Sequence, residues 1–148
     1  MSTKNISTKI ISIFLSVTFL ALAFATPASA AADTCTWTGT STNIWSNGAN
    51  WSGCDNGGVP ENGDTLIFPA AAANTTNTND LIGLNLNEII ITGGSYSLSG
   101  NALTLTPLSP YAIELLSNAI TYNIPTTISA ASGSKYIVSS GTSNAINS

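Results

Sequence analysis

The sequence predicts an all-β protein, and three observations carry that prediction. Apolar and small polar residues alternate with period two over segments of about five residues. Glycine, asparagine or proline separates these segments from one end of the apolar-patterned chain to the other. Charged residues are only 7% of the total, so the polar surface falls to serine, threonine and asparagine. Those side chains suit pleated strands and tight turns, whereas exposed helices draw on Glu, Lys, Gln and Arg. Both a β-solenoid and a β-sandwich have this form. Turns that fall after about five residues, closer than the eight to twelve of a sandwich, favour the solenoid. So does the division into inward Leu, Ile and Tyr and outward Ser, Thr and Asn.

Residues 1–30 read as an export signal. Lys4 and Lys9 precede an apolar run from Ile10 to Ala25, Pro27 breaks it, and Ala28-Ser29-Ala30 supplies a small-x-small cleavage pattern. That combination points to a cleaved signal peptide rather than a membrane anchor. The expected product begins near Ala31 and is secreted or held at the cell surface, with no membrane insertion of the mature part.

Residues 31–69 form the next unit, an N-terminal cap. Thr36-Trp37-Thr38 alternates as a half-buried strand and Gly39 ends it. Asn43-Ile44-Trp45 is a second short strand, Asn47-Gly48 a turn, and the stretch from Gly53 to Gly58 a loop. Val59 to Asp64 turns again, Thr65-Leu66-Ile67-Phe68 is a strand, and Pro69 stops it. Residues 70–80 (AAAANTTNTND) read as a polar surface loop. From 81 to 148 the chain reads as solenoid coils. Their inward residues are Ile89 to Ile91, then Tyr96 with Leu98, Leu103 with Leu105, Ile113 with Leu115, the series Ile120, Tyr122 and Ile124, Ile128, and last Tyr136 to Val138.

The charge pattern excludes whole classes of function. Lys4 and Lys9 belong to the signal, which leaves seven acids against one base, Lys135. Nucleic-acid binding needs clustered Lys and Arg to neutralise phosphates, and anionic membrane surfaces need the same. There is no histidine, the usual general base near neutral pH. Serine catalysis would have Lys135 alone as its base, and Ser134-Lys135 beside a glycine reads more simply as a turn. Glu61 and Asp64 flank Asn62-Gly63 and are read as shaping a turn rather than as a catalytic carboxylate pair. Glu88 and Glu114 are expected to face water.

Three sets of residues remain as candidates. Cys35 and Cys54, an even pair in an exported chain, are expected to form a disulfide. Asp55, Glu61 and Asp64 offer the oxygen ligands that calcium takes, although no EF-hand or nonapeptide pattern surrounds them; no other cofactor is expected. Trp37, Trp45 and Trp51 either stack on sugar rings or fill the core of the cap. The scarcity of other large residues nearby favours the core. Asn50-Trp51-Ser52 and Asn74-Thr75-Thr76 also match the glycosylation acceptor pattern.

The order Trp37-Thr38-Gly39, Trp45, Asn50-Trp51, Pro60, Gly63-Asp64 and Phe68 resembles the N-terminal region of bacterial autotransporter-type surface proteins and their relatives with autotransporter-associated β-strand repeats. Ser97 to Leu105 (SLSGNALTL) resembles the recurring rung of that group. The resemblance implies a right-handed parallel β-helix displayed or released as an adhesive or structural module, with host or matrix glycans or proteins as partners. The cysteine pair departs from the family's pattern, and no translocation barrel follows in the 148 residues. A solenoid end without a polar cap exposes unpaired backbone groups, so self-association through the C-terminal end is expected. A carbohydrate-binding module is the alternative, and a β-helix enzyme acting on polysaccharides the third reading.

Overall fold

A computed structural model describes residues 31–55, 57–129 and 136–147. The expected signal peptide, and Lys135, lie outside the described residues. Short strands and one turn of 3-10 helix at Gly48–Asn50 make up its regular structure. The cap contributes β1 (Thr34–Trp37) and β2 (Trp51–Ser52). Three coils follow. The first is β3 (Thr65–Phe68), β4 (Thr76–Asn79) and β5 (Asn85–Leu86). The second is β6 (Glu88–Ile91), β7 (Ser97–Gly100) and β8 (Leu103–Leu105). The third is β9 (Tyr111–Leu115), β10 (Thr121–Asn123) and β11 (Thr126–Ile128). A fourth begins with β12 (Tyr136–Ser139) and β13 (Ala145–Ile146).

The strands stack into three sheets, ordered β12-β9-β6-β3-β1-β2, β13-β10-β7-β4 and β11-β8-β5. Every strand pair is parallel except β1 with β2. A sandwich joins antiparallel neighbours by short hairpins, so the fold is the solenoid and not its alternative. Register places like positions above one another. Leu66, Ile89 and Ile113 align in the first sheet, Leu98 and Tyr122 in the second, and Leu86, Leu105 and Ile128 in the third. All of these but Ile128 are buried in one continuous core, against which Ile128 packs half-buried. The period-two reading of residues 96–124 therefore describes the inner wall of the stack.

Asparagine stitches the corners. Side-chain hydrogen bonds from Asn79 to the Asn101 carbonyl, from Asn101 to the Leu81 carbonyl, from the Asn85 amide to Asn62 and from the Thr142 amide to Asn118 join residues 20 to 24 apart, one coil to the next. One glycine is required by this close stacking. Gly100 has φ +120°, and a Cβ there would lie 2.2 Å from the Asn79 carbonyl oxygen.

Two expectations change. The coils begin at β3 rather than at residue 81, and the polar stretch 70–80 contains β4. Its asparagines are core residues: Asn77 and Asn79 are both fully buried. Asn77 accepts from the Trp45 indole at 2.8 Å, and Asn79 accepts from the Leu81 amide while donating to the next coil. Their composition is that of a loop, but distant segments supply partners for the Asn77 oxygen and the Asn79 amide group, while the Asn77 Nδ2 is buried without a partner.

Glu88 and Glu114 were expected in water. Glu114 is half-buried, but Glu88 is only 7% exposed, and its Oε1 has no hydrogen-bond partner. Burial first, then its hydrogen bond to the Glu114 carboxyl and the nearby Glu114 charge, push the Glu88 pKa up, against an opposing hydrogen bond with Ser109. An acid whose folded pKa lies above its usual 4.5 binds more protons folded than unfolded. Its stabilising contribution is complete below about 4.5 and is lost as pH rises through the raised value. Glu88→Gln mimics the protonated form. The variant is expected to melt higher than the native chain at neutral pH and to lose part of the decline between pH 4.5 and neutrality. Melting curves across that range check this, and parallel slopes for the two proteins would refute it.

Candidate functional site: the cap and its acidic rim

The cap is built around four rings. Trp37 ends β1, Trp51 begins β2, Trp45 lies in the connection between them, and Phe68 ends β3. Trp37 and Trp51 face each other in the paired register of β1 and β2. Their centroids are 4.9 Å apart in an edge-on arrangement, and Trp45 and Trp51 meet in the same way at 5.8 Å. Phe68 contacts all three at 5.7 to 6.2 Å and Tyr96 of the second coil at 5.5 Å. Each indole N–H has a buried or part-buried acceptor: Trp37 donates to the Asn74 carbonyl at 2.7 Å, Trp45 to Asn77, and Trp51 to the Trp45 carbonyl at 2.9 Å. The Trp37 contact explains the glycine of Trp37-Thr38-Gly39. Gly39 has φ +59°, and a Cβ there would sit 2.8 Å from the Trp37 indole nitrogen.

Trp37 and Trp45 are fully buried and Trp51 is 6% exposed. A ring without an exposed face cannot stack on a sugar, so the sugar-stacking alternative for these residues is replaced by the core reading. Asn50, whose match to the glycosylation acceptor pattern is of the kind that arises by chance in an Asn/Ser/Thr-rich chain, has a buried side chain that accepts from the Ser41 and Thr42 amides and donates to the Thr42 hydroxyl and the Ile44 carbonyl. It organises the loop that carries Trp45.

Cys35 and Cys54 are joined by a disulfide, with Cα atoms 4.8 Å apart. Asp64 lies beside the bridge, and Cys35, Cys54 and Asp64 place their ligand atoms within 4.8 Å of one another. A disulfide leaves no thiolate to bind a metal, so this grouping is a contact and not a metal centre. Asp64 is 2% exposed; its Oδ1 accepts from the Asp33 amide and its Oδ2 from the Glu61 amide, both at 2.8 Å. It ties the start of the described chain to the Glu61–Asp64 turn from within.

Of the expected calcium ligands, Glu61 and Asp64 lie near enough for their charges to act on Asp55, but the three carboxylates do not converge as a metal-ligand group among the described residues. Asp55 is exposed, and its amide donates to Asp33 at 2.9 Å. A hydrogen bond to the Asp33 carboxyl, with smaller effects from burial and from the charges of Asp33, Glu61 and Asp64, raises the Asp55 pKa. Asp64, however, is engaged by two amide donors rather than turned outward. Asp80, on the other side of the cap, binds the Ser46 amide and hydroxyl. Burial alone would raise its pKa, but these hydrogen bonds outweigh it and hold the carboxyl below its usual value. Beside the rim, a shallow cleft of about 470 Å³ is lined by Pro60, Glu61, Asn62, Leu81, Ile82, Gly83 and Leu84; its lining has one carboxyl and no aromatic ring.

The cap meets all three sheets. β1 covers β3. Ile44 bridges to Thr78 of β4, with Trp45 N–H donating to the Thr78 carbonyl and Thr78 N–H to the Asn43 carbonyl at 3.1 and 2.7 Å. Gly63 N–H donates to the Asn85 carbonyl of β5, and Asn62 accepts from the Asn85 amide, each at 2.8 Å. The residues that sequence reasoning missed are therefore Asn50, Asn62, Asn77 and Asp33, all polar. No protein-family model, curated protein or solved structure matches the chain.

Proposed function

We propose that the protein is a non-catalytic, exported structural or adhesive module: a capped β-solenoid that serves as a stalk or the base of one. The observation that carries this reading is the allocation of side chains. All three tryptophans and Phe68 are consumed in closing one end of the stack, and the outward positions of the central strands β7 and β8 are serine and threonine. Closing an end is what a solenoid requires to remain soluble and defined in length. A disulfide suits an oxidising compartment, which agrees with the export signal read in residues 1–30.

Cell fractionation with N-terminal sequencing tests the proposal. The chain is expected outside the cytoplasm, starting near Ala31, and the purified protein is expected to release no reducing ends from acidic or neutral polysaccharides. Retention in the cytoplasm with free thiols, or turnover of a polysaccharide, would overturn it. A glycan array separates a passive stalk from a sugar-binding module.

A further inference from the structure

Among the described residues, two buried side-chain atoms lack a hydrogen-bond partner: the Asn77 Nδ2 in the core and the Glu88 Oε1. The second is a carboxyl oxygen, which in the ionised group can only accept. Buried without a donor or a cation, it loses its water and gains nothing in return.

The surroundings of this oxygen come from two coils. Ile89 and Ile91 of β6 are buried in the core, so alternation turns Glu88 to the outer face of the first sheet. Glu114 of β9 pairs with Ile90 and lies on that same face. The two carboxyl groups meet there in a hydrogen bond, and Ser109, from the corner between β8 and β9, makes another with Glu88. The corner is pinned in place. The Leu108 amide donates to the Asn87 Oδ1 at 2.7 Å, and the Asn87 Nδ2 donates to the Thr65 hydroxyl at 3.0 Å. The Ser109 hydroxyl donates to the Tyr111 carbonyl at 2.7 Å. Beside this corner Glu88 is 7% exposed.

Two carboxylates in contact repel unless something positive lies between them. Burial, and then the Glu114 carboxyl and its charge, raise the Glu88 pKa, so a shared proton relieves part of the conflict. A single proton bridges one oxygen of each group and leaves the Glu88 Oε1 as it is. A divalent cation takes several oxygens at once and neutralises both groups. The side-chain donors that meet here are all oxygens, which suits a hard ion. Calcium accepts an irregular oxygen set completed by water, whereas magnesium demands a near-ideal octahedron.

We propose that Glu88 and Glu114, with the Ser109 hydroxyl beside them, form a calcium site that clamps the second coil to the third on the outer face of the first sheet. The site is distinct from the acidic rim of the cap and does not depend on the stalk reading. With two carboxylates it belongs among weak extracellular-type sites, with a dissociation constant on the order of 10⁻⁴ to 10⁻³ M. It fills only where calcium is plentiful.

Scanning calorimetry of the purified chain at neutral pH tests this, comparing calcium chloride at about 10 mM with sodium chloride of equal ionic strength plus chelator. Calcium should raise the melting temperature of the native chain by a few degrees. Glu88→Gln, which is expected to fold at least as well as the native chain, should melt alike in the two media, and so should Glu114→Gln. Titration calorimetry with calcium should find one site in the native chain and none in Glu88→Gln. Asp55→Asn, an exposed change in the rim of the cap, should keep the whole shift, and so should Lys135→Met. No shift in the native chain, a shift retained by either glutamine variant, or loss of the shift in Asp55→Asn would overturn the site. A shift that appears only in Lys135→Met would give the carboxylate pair to the chain's own ammonium group and overturn it as well.

Discussion

Phe68→Ala is expected to destabilise the protein by about 3–5 kcal/mol, the cost of truncating a large buried ring where the surroundings cannot collapse. The surroundings here are three tryptophans and Tyr96, all within 6.2 Å of the ring between centroids. The tryptophans are held by indole hydrogen bonds to fixed acceptors, and Tyr96 donates its hydroxyl to the Pro69 carbonyl at 2.6 Å. None of these rings can move into the space without breaking a buried or part-buried hydrogen bond, and a buried group left unpaired costs about 1–3 kcal/mol. Phe68 also joins the cap to the second coil through Tyr96, so its loss uncouples the two. Tryptophan fluorescence reports only the cap, since all three tryptophans lie there, while far-UV circular dichroism reports the whole stack. In the variant the fluorescence transition should precede the dichroism transition in urea; in the native chain they should coincide. Coincident transitions and a loss below about 1 kcal/mol would show that the ring is not the keystone described here.

Removing the disulfide is expected to cost about 3 kcal/mol, the chain-entropy value for a loop of this size, where the bridged residues are 19 apart. For a domain of this length that lowers the melting temperature by on the order of 10 °C. The position of the bridge makes the effect specific. Cys35 is fully buried, pairs with Leu66 in the β1–β3 register, and has its sulfur 3.4 Å from the Asp64 carboxylate. A bridged sulfur carries no proton, so that contact is not a donated hydrogen bond until the bond is reduced. Cys35→Ala/Cys54→Ala and the reduced native chain should therefore melt at comparably low temperatures, with the β1–β3 edge loosened first. Calorimetry with and without reductant measures this, and an unchanged melt would refute it.

The strands that the sequence made legible are those whose alternation is apolar. Tyr96 with Leu98, Leu103 with Leu105, and Ile120, Tyr122 and Ile124 all proved to point inward. β4 was not legible because Asn77 and Asn79 occupy inward positions, and an asparagine is comfortable in a core only when a distant segment supplies its partner. The same reason hid Glu88. Adjacent Glu88 and Ile89 are both buried, a departure from alternation set by Ser109 and Glu114 of the next coil, which lie more than twenty residues away in sequence. Of the candidate site, the tryptophan core and the cysteine pair were readable from composition and spacing. The engagement of Asp64 by the Asp33 and Glu61 amides was not, because it depends on β1 lying beside β3.

The cap has one further consequence, for the alignment of everything stacked on it. A parallel strand slipped by one residue would turn its inward side chains outward, so the buried alternation and the corner asparagines hold each coil in line with the one below it, and the alignment of the whole stack is referred back to the first coil. The disulfide, the Asp64 amide bonds, the Ile44–Thr78 bridge and the bonds of Asn62 and Gly63 to Asn85 fix where β3, β4 and β5 begin. Leu66 then sets the place of Ile89, and Ile89 that of Ile113. The N-terminal unit thus acts as a ruler: its covalent zero point is passed upward from coil to coil, and an error there would be copied into each coil above it.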